Sequence, residues 1–302
     1  MFEMQDNEEF KLVIHRKKRT SFARKCCDST VTLPVVVVDN DDDDDDDDED
    51  NGSNFNINHE TLSGMILEAE VELKNSSFAD NVFYSLGDSL NALRLDGISE
   101  ILCYGLGHFS SCRSSKYQLA LLLSLKKYYN SRVYVYDPVF YSHEIELLKR
   151  FDCNVIEINE EGKRIVQDSV TLIYMPHCSI YLTNNFLYTN WSKRLNKCIL
   201  LTNSFSIVTD NLTKANKSVS LDYVLRIRPY VTEIPLRNNF IYKDVFSDLN
   251  IHIFLEENIN AIPQSFWNKR DEPCYRGAEI HYLTAKQTEQ IDAKNCCTED
   301  ET

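Results

Sequence analysis

Imidazole titrates near neutral pH, so a histidine at the end of an apolar run is a natural place for proton transfer. His177 stands in such a place, in Tyr174-Met175-Pro176-His177-Cys178. A second chemical feature is Ile101-Leu102-Cys103-Tyr104-Gly105-Leu106-Gly107-His108, an apolar run stopped by Gly-x-Gly. Without Cβ atoms, Gly105 and Gly107 let the backbone turn sharply and approach a ligand closely. The N–H groups of a following helix would then face an anion. Asp137 ends a second apolar run, Val133-Tyr134-Val135-Tyr136, where a carboxylate can accept hydrogen bonds from a ribose diol.

Each feature also has a structural reading. Gly-x-Gly makes a tight strand-to-helix turn, and Asp137 before Pro138 can cap its own turn. The third glycine of a dinucleotide fingerprint is replaced by Ser110, and Asp137 lies beyond the usual spacing. Cys178 follows His177 directly, and neighbours on an extended chain point to opposite sides, so a Cys–His nucleophilic pair is disfavoured. His108, Cys112, His177 and Cys178 lack the tight spacing of a zinc site, so no metal is expected. Arg113 and Lys116 would meet an anion or simply stay solvated.

These residues need a scaffold that gathers them. Apolar runs at 98–104, 132–137, 154–158, 170–175 and 197–202 read as five strands. Helical stretches lie between them, at 114–129, 142–150 and 180–191. Such alternation implies an α/β fold: a Rossmann-like, doubly wound, mostly parallel sheet with helices on both faces, in an order such as 3-2-1-4-5. Ligands of such sheets sit beyond the carboxyl ends of the strands. That rim would hold Gly105, Gly107, His108, Asp137, His177 and Asn203, with Glu160, Glu161, Cys178 and Ser204 nearby. S-adenosylmethionine or a nicotinamide nucleotide would suit it, with Asp137 on the ribose and His177 as the acid or base.

Two helices precede the core. Leu62, Met65, Ile66, Ala69 and Leu73 share one helical face, and Phe78, Val82, Leu86, Leu90 and Leu93 repeat the pattern. The stretches 224–236 and 251–255 would add strands at one edge, with Pro229 and Pro235 restricting the pairing. The expected division is a tail over 1–58, helices over 59–95, an α/β core over 96–260 within a domain reaching 283, and an acidic tail over 284–302.

The chain has 302 residues, 43% hydrophobic, enough for a sizeable core. Its net charge of -15 is concentrated: eleven acids lie between Asp39 and Asp50. Such a run repels itself and should remain solvated. A basic cluster, His15-Arg16-Lys17-Lys18-Arg19, is either a solvated arm or a nuclear import signal. No apolar run approaches the roughly 18 residues of a transmembrane helix, and the first residues do not read as a secretion signal. The ten cysteines are irregularly spaced, which suits thiols in a reducing compartment. Nucleic-acid binding and membrane insertion are not expected; protein partners are.

Several motifs in order resemble one family. Cys103-Tyr104-Gly105-Leu106-Gly107-His108-Phe109, Tyr117-Gln118-Leu119-Ala120 and Val135-Tyr136-Asp137-Pro138-Val139-Phe140 are similar to the SRR-like (sensitivity to red light reduced) family. The likeness continues through Tyr174 to Cys178, Asn184-Asn185, Asn190-Trp191 and Thr202-Asn203-Ser204-Phe205, covering roughly residues 60 to 260. The resemblance implies a cytoplasmic, or also nuclear, regulator of circadian clock input and haem biosynthesis, and a small ligand at Gly105, Gly107 and Asp137 would tune it. No established catalytic activity comes with it, so the expectation leans away from an enzyme. The alternatives left open are a cofactor-dependent enzyme and a ligand-free interaction scaffold.

Overall fold

In the computed structural model, which describes residues 58–214 and 221–275, the apolar runs become adjacent strands of one sheet. The strands are β1 (Glu100–Tyr104), β2 (Arg132–Tyr136), β3 (Cys153–Val155), β4 (Thr171–Met175), β5 (Cys198–Asn203), β6 (Thr232–Pro235) and β7 (Leu249–Ile253). Their order is β3-β2-β1-β4-β5-β7-β6. The first five run parallel, in the anticipated 3-2-1-4-5 order. The last two are antiparallel additions.

Side chains alternate across a strand, so each central strand feeds two cores. Ile101 and Cys103 of β1 point to one, Leu102 and Tyr104 to the other. The first is covered by α1 (His59–Lys74), α2 (Ser77–Leu93), α3 (Arg113–Tyr129) and α4 (Ser142–Arg150). The second is covered by α5 (Ile180–Thr189), α7 (Asp222–Ile227), α8 (Glu256–Ala261) and α9 (Gln264–Asn268). The remaining helix, α6 (Phe205–Lys214), follows β5.

Helix α3 is apolar on nearly every side because α1 lies across it while the sheet lies beneath. Leu119, Leu121, Leu122 and Leu125 are fully buried. The faces read from the sequence form as expected, with Leu62, Ile66, Ala69 and Leu73 inside on α1 and Phe78, Val82, Leu86 and Leu90 inside on α2. Asn58 and Ser76 cap these two helices through their side-chain oxygens.

The structure corrects several boundaries. The third strand is Cys153–Val155 rather than 154–158. Helix α5 stops at Thr189, where the Asn190 N–H turns back to the Phe186 carbonyl, so Trp191 lies outside it. The N-cap residue of α4 is Tyr141, whose N–H donates to Glu144 Oε2 at 3.0 Å. Most of 224–236 is not strand. Asn184 accepts the Tyr223 and Val224 N–H groups and starts α7 there, burying Tyr223, Val224 and Ile227 together. The two added strands do lie at one edge, beside β5, with β7 between β5 and β6. Pro235 does sit on the edge strand, where no ladder bond is lost. The expected tails and the acidic and basic blocks lie outside the described residues. No described helix is long and apolar enough to cross a membrane.

Candidate functional site

The rim at the carboxyl ends of the strands is built by register. Tyr104 pairs with Tyr136, so Gly105 to Gly107 and Asp137 leave the sheet side by side. Gly105 and Gly107 have φ of 71° and 69°, the region where a side chain is disfavoured. The Gly107 N–H donates to Asp137 Oδ2 at 2.7 Å, and the Val139 N–H donates to Asp137 Oδ1 at 3.0 Å. Burial raises the Asp137 pKa, against the lowering pull of those two amides. The carboxylate thus occupies the turn amide directly.

Cys178 closes the turn from the β4 side. A Cβ built on Gly105 would lie 2.3 Å from its Sγ. The thiol donates to the Tyr104 carbonyl at 3.1 Å, and burial, reinforced by the Asp137 charge, pushes its pKa well up. A half-buried, protonated thiol bonded in this way is a packing group rather than a nucleophile.

His108 belongs to a different contact. Its ring stacks on Tyr141 at 3.9 Å, and its Nδ1 lies 3.4 Å from Glu144 Oε2. Glu144 is fully buried and accepts the Ser110 N–H at 2.7 Å and the Tyr141 N–H at 3.0 Å. It ties the glycine loop to the start of α4. The sequence reading missed it, although an acid three residues into a helix is a known capping position.

His177 stands across the rim with φ of 56°. Its N–H donates to Asn203 Oδ1 at 3.0 Å. Its Nδ1 faces Gln118 Nε2 at 3.2 Å, and its Nε2 lies 3.0 Å from the Ser247 carbonyl. Gln118 also donates to the Val245 carbonyl at 2.9 Å, which fixes its amide as a donor. In the neutral ring Nδ1 must therefore accept and Nε2–H must donate. The candidates form three groups: Gly105, Gly107, Asp137 and Cys178; His108 with Glu144; and His177 with Asn203. Among the described residues, no three His, Cys, Asp or Glu side chains form a group able to hold a metal ion.

A further polar cluster lies where β6 and β7 meet α6. Glu233 accepts from Ser204, from the Ser206 N–H at 3.2 Å and Oγ at 2.7 Å, and from Asn250 at 2.6 Å. His252, fully buried, accepts the Phe205 N–H at 3.4 Å. The start of α6 is thus capped from two neighbouring strands. Burial alone would raise Glu233, but bonds from Ser204 and Ser206, with the charge of His252, hold it below its usual range. Burial lowers His252 to about 4, against the pull of Glu233 and the Leu200 carbonyl.

This lowering has a sign. An unfolded chain protonates His252 near its ordinary value of 6.5, while the folded one resists until about 4. Stability is therefore full above pH 6.5 and falls as pH drops toward 4, by about 1–2 kcal/mol at pH 5. The Glu233 contribution is lost lower, below its ordinary 4.5. Urea midpoints at pH 7 and 5 should show the decline, and His252→Gln should flatten it. An equal decline in the variant would assign it elsewhere.

A half-open cavity of about 110 Å³ lies at the opposite end of the sheet, between Ile165, Trp191, Arg194, Cys198 and Arg270. It contains none of the rim candidates.

Comparison with known proteins bears on the whole domain. The SRR1 domain matches residues 67–253, from α1 to the end of β7. The chain is 33% identical over 183 residues to an SRR1-like protein of Drosophila melanogaster, covering 58% of this chain and 64% of that protein. It is 39% identical over 130 residues to an SRR1-like protein of Mus musculus, covering 42% and 52%. It is 31% identical over 118 residues to Protein SENSITIVITY TO RED LIGHT REDUCED 1 of Arabidopsis thaliana, covering 38% and 42%. The chain thus spans between 42% and 64% of the length of these relatives. All seven described strands, the glycine turn, the Pro-His-Cys loop and the paired asparagines lie inside the match, and the chain belongs to the SRR1 domain family.

Proposed function

We propose that this protein is a regulator that works by binding protein partners rather than by catalysis. Its role would be in light- and clock-linked signalling and in control of haem biosynthesis. The signalling part is supported by family membership and by the name of the Arabidopsis relative. The haem part rests on the SRR-like resemblance alone. One observation carries the non-catalytic part: the groups suited to chemistry are bonded to fixed protein groups. Both ring nitrogens of His177 face Gln118 or Ser247, and the Gly107 amide faces Asp137.

The competing reading is an S-adenosylmethionine- or nicotinamide-nucleotide-dependent enzyme. Its support is the placement of Asp137 beside Gly107 at the ends of two adjacent parallel strands. Each Asp137 oxygen accepts one amide and keeps capacity for a second donor. In that reading Asp137 would hold the ribose and Gly107 the anion, after their mutual bond opens.

Thermal unfolding of the full chain with each nucleotide separates the two. A ligand present at 100 times its Kd adds about 2.7 kcal/mol. The regulator reading expects no shift of Tm with either nucleotide. A shift that disappears in Asp137→Ala would overturn it in favour of the enzyme. We place the protein in the cytoplasm and the nucleus, and a fluorescent fusion lacking residues 1–30 tests the basic arm. Loss of nuclear signal would make the arm the importer, and unchanged signal would exclude it.

A further inference from the structure

The segment after α8 is held in an unusual way for part of a domain. Three carbonyls between Phe266 and Tyr275 are bonded by side chains of the matched domain rather than by a neighbouring strand. The Phe266 carbonyl accepts from Trp191 Nε1 at 3.2 Å and from Arg226 Nη2 at 2.6 Å. The Lys269 carbonyl accepts from Arg226 Nη1 at 3.0 Å, and the Asp271 carbonyl from the Tyr223 hydroxyl at 2.6 Å. Side chains that bond the carbonyls of a short segment, here from the end of α9 into the extended chain after it, are a feature of peptide recognition.

The segment is anchored at its two ends. At one, Phe266 stacks on Trp191 at 5.0 Å, and Trp267 is buried beside it. At the other, the Tyr275 hydroxyl lies 2.9 Å from Asn184 Nδ2 and 2.9 Å from Asn185 Oδ1. Both asparagines have zero exposure. Between the anchors, Lys269, Arg270, Asp271 and Glu272 are exposed. Two of these spacer residues are themselves tied down, Arg270 to the Thr189 carbonyl at 2.6 Å and Glu272 to Lys163 at 2.8 Å, and aromatic anchors joined by more exposed spacers are how short peptides bind a groove. The groove residues Asn184, Asn185, Trp191, Tyr223 and Arg226 all lie within 67–253, whereas the segment lies outside it.

We propose that the groove between α5 and α7 is a peptide-recognition site, and that residues 266–275 occupy it in cis. The ligand class is a peptide with an aromatic pair in one helical turn, followed by extended chain to a tyrosine eight to nine residues later. The phenol is specified because the buried Asn184 and Asn185 amides need a group that both donates and accepts. A partner carrying such a peptide would compete with the chain's own segment. This site is distinct from the rim and stands whether or not the rim binds a nucleotide.

The probe is a fluorescent synthetic peptide of residues 264–275 carrying Cys274→Ser, titrated by anisotropy. The hosts are the full-length wild type and the full-length Phe266→Ala/Tyr275→Ala variant, which weakens the resident segment. The peptide should bind the variant at least about tenfold more tightly than wild type, and adding Arg226→Ala should abolish the gain. A variant that is folded by circular dichroism and binds no better than wild type overturns the proposal. If the variant does not fold, amide hydrogen exchange on wild type decides. Exchange of 269–275 well ahead of β1 and β4 supports a displaceable occupant, and exchange together with those strands refutes it.

Discussion

Gly105→Ala is expected to destabilise the protein by about 3 kcal/mol, and most of that loss should vanish when Cys178 is also changed to alanine. Two effects add. A side chain at φ of 71° costs about 1 kcal/mol, because Cβ approaches its own carbonyl. The new methyl would also lie 2.3 Å from Cys178 Sγ, inside contact distance. The thiol can rotate away only by leaving its bond to the Tyr104 carbonyl. Overpacking of this kind costs about 1–3 kcal/mol. In a Cys178→Ala background the contact is gone and only the backbone term of about 1 kcal/mol remains. A double-mutant cycle by urea unfolding should therefore give a coupling of about 2 kcal/mol. Additive losses would mean that Cys178 does not cover the turn.

Glu144→Ala should cost about 4 kcal/mol, a large loss for one exchange on the margin of a domain. The carboxylate is fully buried and receives the Ser110 and Tyr141 amides. Removing it leaves two amides without an acceptor, each worth about 1–3 kcal/mol, and empties the volume of the side chain. Glu144→Gln keeps one oxygen but turns an NH2 toward the other amide, so about 2 kcal/mol is expected. Glu146 provides the contrast two residues along. Its bond to His59 is 2.9 Å long, but its side chain is 61% exposed. Glu146→Ala should therefore change stability by less than about 0.5 kcal/mol. Comparable losses at both positions would contradict the role given to Glu144.

The parallel core was legible because burial on both faces forces near-continuous apolar runs, and crossover handedness restricts their order. The additions beyond β5 were less so. Ile251-His252-Ile253 reads as a strand wherever it pairs, and its antiparallel place beside β5 follows from tertiary contacts. Tyr223, Val224 and Ile227 are aromatic or β-branched, and the segment becomes helical because a distant side chain, Asn184, accepts its first amides. At the rim, the residues that leave the strands could be named, but their bonds could not. That Asp137 meets Gly107 depends on the in-register pairing of Tyr104 with Tyr136. His177 and Cys178 do face apart, the imidazole to Ser247 and the thiol to Tyr104, but through a left-handed turn at His177 rather than through the extended chain assumed from the sequence.

The Gly107 amide gives the most direct test of a rim closed on itself. Its proton can be followed in an 15N-labelled full-length sample, with and without S-adenosylmethionine or a nicotinamide nucleotide. The account predicts slow exchange with solvent, loss of that protection in Asp137→Ala, and no movement of the resonance with either nucleotide. A fast-exchanging amide whose resonance shifts saturably on adding one of them would mean that the turn is held open for a cofactor.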